Sequence, residues 1–558
     1  MPIFNFMEKK SANTAEQLMQ QLYRIAPEVF HEGKIDWKKL RASLGEKITY
    51  DNERYTLSWA GKGAAISQIH EITTKALVPS QADSINFESC HNMFIEGENL
   101  EVLKLLHKSH SGKVKMIYID PPYNTGKDSF IYKDKFYESK KEYLLRTAPG
   151  NNENGSARHQ HINGSENGHY HSNWLNMIYP RLYLGRQLLK DDGVILIHID
   201  ENEINNLELV CNEVFGEENK LGTIIWDKGN PKGDAKSIAC QHEYIVVYAK
   251  NKADFVGKNK LKRPKKNAQK MLNKAALLYG KLGKAGVPAD LKTVVKKYDM
   301  PEKLLHDYKR KVTLEDINKD FYQWIQSQKT FSGGEKAYNK IDRQGNVYRT
   351  VSMAWPNKKK APDEYFTPLI HPVTKKECPI PARGWRYPEK TMKRLLDDNL
   401  VIFGPDHKKQ PERKYLLTEN MYENVPSILF FGGSDDKYLR ELDIPFENPK
   451  PYELAKELIS YFTSTDEIVL DFFAGSGTTA HAVLDLNASS PARQFICVQL
   501  PEVIKKKTSG FDHIASLSLA RIKKSYQRIA KSLPDELKAG FEATQGVKVF
   551  RLTDVGDR

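Results

Sequence analysis

Apolar positions fall into two rhythms along this 558-residue chain. From about residue 89, short unbroken apolar runs alternate with stretches in which apolar residues return every three or four positions. The first rhythm predicts buried strands, the second amphipathic helices. Val114-Lys115-Met116-Ile117-Tyr118-Ile119 is the clearest strand, and Gly193–Asp200, Thr223–Trp226 and Glu243–Tyr248 follow it. Helices are predicted over Leu100–Leu106, Trp174–Leu189 and Leu207–Phe215. This alternation implies an α/β fold: a largely parallel sheet covered by helices, with antiparallel strands added late.

The rhythm is lost between residues 250 and 424, where charge, Pro, Gly and aromatics rise. It returns as a helix over Pro451–Phe462, a strand at Ile468–Leu470, a helix over Thr479–Asn487 and a strand at Phe495–Val498. Two α/β halves, 89–249 and 425–510, thus flank a dissimilar segment, 250–424. The expectation is one split sheet domain hosting an inserted module. Residues 1–88 read as a helical N-terminal region, with helical spacing over Ala15–Ile25 and a helix start at Asp36-Trp37-Lys38-Lys39-Leu40. Residues 511–558 read as a helical C-terminal region. Residues 150–173, rich in Asn, Gly, Ser and His, read as a mobile loop.

Charge narrows the class of partner. A formal net charge of +14 favours a polyanion, most often nucleic acid. Ten cations from Lys250 to Lys274 crowd a stretch that holds one acid, Asp254. Such a run is either a solvated loop or a phosphate-contacting surface. Tyr322, Trp324, Tyr338, Tyr348 and Trp355 interleave with Lys and Arg further on, as in a module that reads nucleic acid. No apolar run is long enough to span a bilayer. Met1-Pro2-Ile3-Phe4-Asn5 shows no charged leader, and the five cysteines are scattered without a CxxC pair. A cytoplasmic protein with free thiols is the expectation.

Two strand-end motifs carry the chemistry. Asp120-Pro121-Pro122-Tyr123 follows the strand at Val114–Ile119 and forms a rigid, polar, stacking-competent lip. An exocyclic base amine is a poor nucleophile because its lone pair is delocalised. The Asp120 carboxylate and the Pro121 carbonyl offer the acceptor pair that would draw it toward tetrahedral geometry. Tyr123 offers a face on which a flipped base stacks. The second motif, Asp471-Phe472-Phe473-Ala474-Gly475-Ser476-Gly477-Thr478-Thr479, opens a helix after a strand, as nucleotide-binding turns do. Gly475 permits the tight turn, Gly477 lets a ligand approach, and Ala480 permits close helix packing. The following strand ends Val498-Gln499, not in the acid expected of a nicotinamide site, and Asp471 suits S-adenosylmethionine better. No GxxxxGK[ST] motor loop occurs.

Weaker signals point elsewhere. His159, His161, His169 and His171 cluster as a metal site would, but a polar loop closing near nucleic acid is the expectation. Pro405-Asp406 with Glu412-Arg413-Lys414 imitates a nuclease pattern, at short spacing and with no strand predicted around it. Cys497 lies inside a strand, which argues against carbon-5 cytosine chemistry.

Asp120-Pro121-Pro122-Tyr123 resembles the catalytic motif of amino-methylating DNA methyltransferases, and Asp471–Gly477 resembles their S-adenosylmethionine motif. Catalytic motif first and cofactor motif second resembles the beta class, a circular permutation of the fold. Tyr118–Gly126, His171–Met177, Asn448-Pro449-Lys450-Pro451 and Phe495–Glu502 are similar to the modification subunits of type III restriction-modification systems. The resemblance implies a Rossmann-like, permuted sheet with a target-recognition domain in 250–424. It implies adenine N6 methylation of double-stranded DNA at a short asymmetric sequence, in a homodimer that works beside a separate restriction subunit. Asp120, Pro121, Pro122 and Tyr123 would bind the adenine. Asp471, Phe473, Gly475 and Gly477 would hold the cofactor with Lys450 nearby, Gln499 at the ribose hydroxyls and Glu98 at the cofactor's adenine. N4-cytosine methylation, an RNA or protein amine substrate, and a silent DNA-recognition subunit are the alternatives.

Overall fold

The computed structural model describes residues 57–125, 170–229, 238–287, 289–301, 310–446, 448–489, 493–504 and 510–555, with isolated positions before 57 and between 302 and 309. The helices expected over Ala15–Ile25 and from Asp36, and the loop over 150–169, lie outside the described residues apart from isolated positions. In chain order the first half of the main domain holds α1 (Lys62–His70), β1 (Lys75–Pro79), β2 (Met93–Glu96), α2 (Asn99–His110), β3 (Val114–Ile119), α3 (Tyr170–Leu188), β4 (Leu189–Ile199), α4 (Ile204–Phe215), β5 (Lys220–Asp227), β6 (His242–Ala249) and α5 (Lys252–Lys258). A two-stranded neck, β7 (Lys262–Pro264) against β8 (Tyr422–Asn424), bounds the insertion. The second half holds β9 (Ile428–Phe430), α6 (Tyr452–Phe462), β10 (Ile468–Asp471), α7 (Thr478–Asn487), β11 (Gln494–Gln499), α8 (Ile514–Ser532) and β12 (Lys548–Asp554).

One ten-stranded sheet unites both halves, in the order β9-β5-β6-β4-β3-β10-β11-β2-β12-β1. Its central five strands, β2-β11-β10-β3-β4, are all parallel. Counted from β10, their order is 3-2-1-4-5, the doubly wound order. The chain enters that order at its third strand, so the sheet is circularly permuted. β6 runs antiparallel between β4 and β5, and β1 antiparallel to β12. All six side chains of β3 are buried, as a strand covered on both faces requires. One covering layer draws its apolar residues from α1 to α4, the other from α5, α6, α7 and α8.

The insertion has its own core. Met271, Phe321, Ile325 and Leu417 meet between the helices Ala268–Tyr279 and Leu314–Ser327 and a four-stranded antiparallel sheet. A second cluster gathers around the buried Trp385.

Three sequence expectations change. Residues 57–88 are not purely helical, because Lys75–Pro79 forms the edge strand β1. Residues 511–558 are not purely helical either, because Lys548–Asp554 inserts as β12 between β2 and β1. Residues 250–258 belong to the sheet domain, since α5 buries Phe255 in its core. Short strands that gain their burial only from distant partners carry weak periodicity of their own.

Candidate active site

β3 and β10 are parallel neighbours with Leu470 opposite Ile117, so Asp471 and, two residues further along, Asp120 finish at the same edge of the sheet. The strand order reverses between them, and ligands of open α/β sheets bind in the crevice at such a point.

The lip after β3 is braced from below. The fully buried Trp174 donates its indole N–H to the Pro122 carbonyl at 2.7 Å. Asn124 turns the chain at φ 60, a conformation Asn tolerates, and donates to the buried Glu203. His171 Nδ1 lies 2.7 Å from the same carboxylate. Above this brace Asp120 faces the Lys450 ammonium, which lies 3.4 Å from its Oδ1. Its Oδ1 is buried and makes no hydrogen bond among the described residues.

Tyr123 stands in a charged setting. Its hydroxyl donates to Glu243 at 3.0 Å and accepts from Lys450 at 2.7 Å. Burial first, then the Asp120 and Glu243 charges, push its phenol well above the usual value. Glu243 also accepts from Lys450 at 2.8 Å and from Lys228. Burial opposes the Glu243 charge, yet the two lysines hold its carboxyl down to about 2. Sequence reasoning missed Glu243 and Lys228. The one available signal was an acid opening an otherwise apolar strand.

The turn after β10 is held from within and from behind. Burial pushes the Asp471 carboxyl up to about 7. Its oxygens accept from the Phe473 N–H at 3.0 Å and the Thr479 hydroxyl at 2.5 Å. Asp471 therefore shapes the turn from within. Gly477 has φ 83, and a Cβ there would stand 3.1 Å from the Ser518 carbonyl of α8. Its bareness lets α8 pack closely on the turn. Gly475 has φ 53, and a Cβ would make only ordinary contacts, at 3.8 Å with Phe446 and the Phe473 carbonyl, so this part of the turn is less crowded than Gly477. Its N–H donates to Gln499 Oε1 at 2.7 Å. The half-buried Phe473 flanks it. The fully buried Arg521 supports the turn from behind, donating to Ser476 at 2.7 Å and Thr478 at 2.9 Å. Glu98 caps α2 through the Glu101 N–H at 2.9 Å and pairs with Arg181. Lys450 places its ammonium among Tyr123, Glu243 and Asp120.

A family model described as a DNA methylase matches residues 114–509. The EcoP15I Mod subunit, a type III restriction-modification enzyme of Escherichia coli, is 33% identical over 98% of this chain and 80% of its own length. The EcoPI Mod subunit of Escherichia phage P1 is 31% identical over 98% of this chain and 79% of its own. The StyLTI Mod subunit of Salmonella typhimurium is 31% identical over 92% and 69%. The chain belongs to the DNA methylase family, with the type III Mod subunits. It is a DNA methyltransferase, and the two strand-end motifs lie within the matched region.

Other features of this methylase resolve against that frame. The nuclease-like residues Glu412-Arg413-Lys414 do sit on a strand, Glu412–Leu416, contrary to expectation. Lys414 is committed to Asp342 at 3.0 Å, and Asp406 accepts its own chain's Lys408 N–H. Of the clustered histidines, His159, His161 and His169 lie outside the described residues. Part of the basic run braces the methylase's neck. Arg263 pairs with Glu423 at 2.8 Å, and Lys265 donates to the Tyr422 carbonyl at 3.0 Å. Tyr338 is buried in the insertion's core, whereas Tyr322 is exposed. Among the described residues no helix is long and apolar enough to cross a membrane.

Proposed function

We propose that this methylase transfers a methyl group from S-adenosylmethionine to the N6 amine of adenine. The substrate is a short asymmetric sequence in double-stranded DNA. The reading is of a cytoplasmic, dimeric modification subunit of a type III system, working at the nucleoid beside a separate restriction subunit. The observation that carries the chemistry is the Asp120 carboxylate beside the Lys450 ammonium at the end of β3, one strand away from the Gly475 turn that follows β10.

The residues at the turn fit the cofactor. The half-buried face at Gly475, the Phe473 ring and the strand-end side chains Gln499 and Glu98 would hold it, while Asp471 and Gly477 keep the turn in shape. The cofactor supplies an electrophilic methyl group on a sulfonium. Asp120 and the Pro121 carbonyl accept the two N–H bonds of the adenine amine and localise its lone pair. The Tyr123 ring stacks on the flipped base. Asp120 takes the proton that the amine sheds and passes it to water as the product leaves. The insertion reads sequence, with most of its cations on phosphates.

Incubation with plasmid DNA and methyl-labelled S-adenosylmethionine, followed by nucleoside analysis, tests the reading. Label in N6-methyladenine is expected. Label in cytosine alone moves the substrate to cytosine N4, and label in neither removes the reading.

A further inference from the structure

The sequence groups Lys450 with the cofactor residues, but its surroundings belong to the other half of the site. The side chain lies just ahead of α6 and is 17% exposed. Its ammonium donates to the Tyr123 hydroxyl at 2.7 Å and Glu243 at 2.8 Å, and lies 4.6 Å from the centroid of the Tyr123 ring. Asp120 Oδ1 is 3.4 Å away, close enough for attraction, yet the geometry makes no hydrogen bond. Asp120, Lys450, Glu243 and Lys228 thus form a ladder of alternating charge.

We propose that Lys450 is a positioning residue for the target base, not a cofactor contact. Its ammonium holds the Tyr123 ring and supports the Asp120 carboxylate while leaving the Asp120 acceptor for the incoming amine. Glu243 anchors it. Two consequences follow from this arrangement. Removing the cation leaves two carboxylates near one another in a partly dry site, with only Lys228 against them. It also frees the Tyr123 hydroxyl from its donor, so the stacking ring loses one of its two fixings. A neutral hydrogen-bond donor in place of Lys450 would restore the second effect but not the first. The cation is retained despite burial, which lowers an ammonium's pKa, because Asp120 and Glu243 raise it above its ordinary value.

The inference rests on the amine-activating reading of Asp120, and the test separates the two. Full-length Lys450→Ala, Lys450→Met and Lys450→Arg are compared with wild type for S-adenosylmethionine affinity by calorimetry and for kcat on plasmid DNA. Added methylamine is tested on Lys450→Ala. Lys450→Met should lose about 10²-fold in kcat, as when one preorganised donor is removed, with cofactor Kd unchanged within about twofold. Lys450→Arg should recover part of the rate, and methylamine should partly restore Lys450→Ala. A rise in cofactor Kd at unchanged kcat would return Lys450 to the cofactor half and overturn the proposal. So would an unchanged kcat, or a loss that neither arginine nor methylamine relieves. If wild type itself labels no DNA amine, the functional reading fails first, and does so independently of any Lys450 variant.

Discussion

Asp120 and Asp471 end neighbouring strands but meet opposite environments. Asp120 offers a buried oxygen without a hydrogen bond beside a cation, whereas both oxygens of Asp471 are committed inside its own turn. Asp120→Ala should therefore cut methyl transfer by about 10²-fold or more while leaving DNA affinity unchanged in a filter-binding titration. Equal activity would remove Asp120 from the chemistry. Asp471 makes a different prediction, in stability. With its carboxyl raised to about 7, the native state binds a proton that the unfolded chain releases near 3.8. Its contribution to stability therefore falls as pH rises between those values. Glu243 has the reverse sign. Its carboxyl is held at about 2, so its contribution is full above 4.5 and is lost as pH falls toward 2. Urea unfolding of wild type and Asp471→Asn at pH 5 and pH 8 separates them: the substitution should reduce the loss of stability on going to pH 8. The Asp-Pro-Pro-Tyr lip was legible because an apolar strand announces its own end. The Lys450–Glu243–Lys228 alliance was not, because it joins the stretch before α6 to the ends of β5 and β6, and local spacing is blind to such contacts.

The two glycines after β10 show the same limit at the level of elements. The Gly-x-Gly spacing reads correctly as a turn that opens α7. What each glycine is for depends on α8, which arrives later in the chain. Gly477 sits under the Ser518 carbonyl, so Gly477→Ala meets both a left-handed φ of 83 and a 3.1 Å contact. It should cost about 2–3 kcal/mol in thermal unfolding. Gly475 is also left-handed but less crowded, with ordinary contacts at 3.8 Å, so Gly475→Ala should cost about 1 kcal/mol, and its larger effect should be on cofactor affinity. Equal stability losses in the two variants would refute this division of roles. The central strands and helices were legible for the opposite reason: β3 is buried on both faces and α4 on one, so burial prints an unbroken apolar run for the first and a helical period for the second. β1 has four half-buried positions in a row and prints none.

The whole molecule is a permuted sheet carrying a module on a neck, and the cores of the two do not share a residue. The sequence located the module by its loss of rhythm, but placed the first boundary before α5, because the basic run begins while the chain is still packing on the sheet. The neck explains those charges. Arg263 and Lys266 reach Glu457 of α6 at 3.7 Å and 3.4 Å, so part of the run that reads as a phosphate surface ties the module down. The same neck makes excision testable. Pro264 and Tyr422 are paired across antiparallel strands, a separation of about 5 Å that a turn of about two to four residues spans. Replacing residues 266–420 with such a turn should leave a folded sheet domain that still binds S-adenosylmethionine by calorimetry. The same protein should lose sequence-specific DNA binding, and its remaining affinity should fall less steeply with salt, since each lost phosphate contact removes about one unit from the slope of log K against log salt. Retained sequence preference would place recognition on the sheet domain. Loss of cofactor binding would mean that the module, through contacts such as Lys266 on Glu457 of α6, holds the catalytic half in shape as well as aiming it.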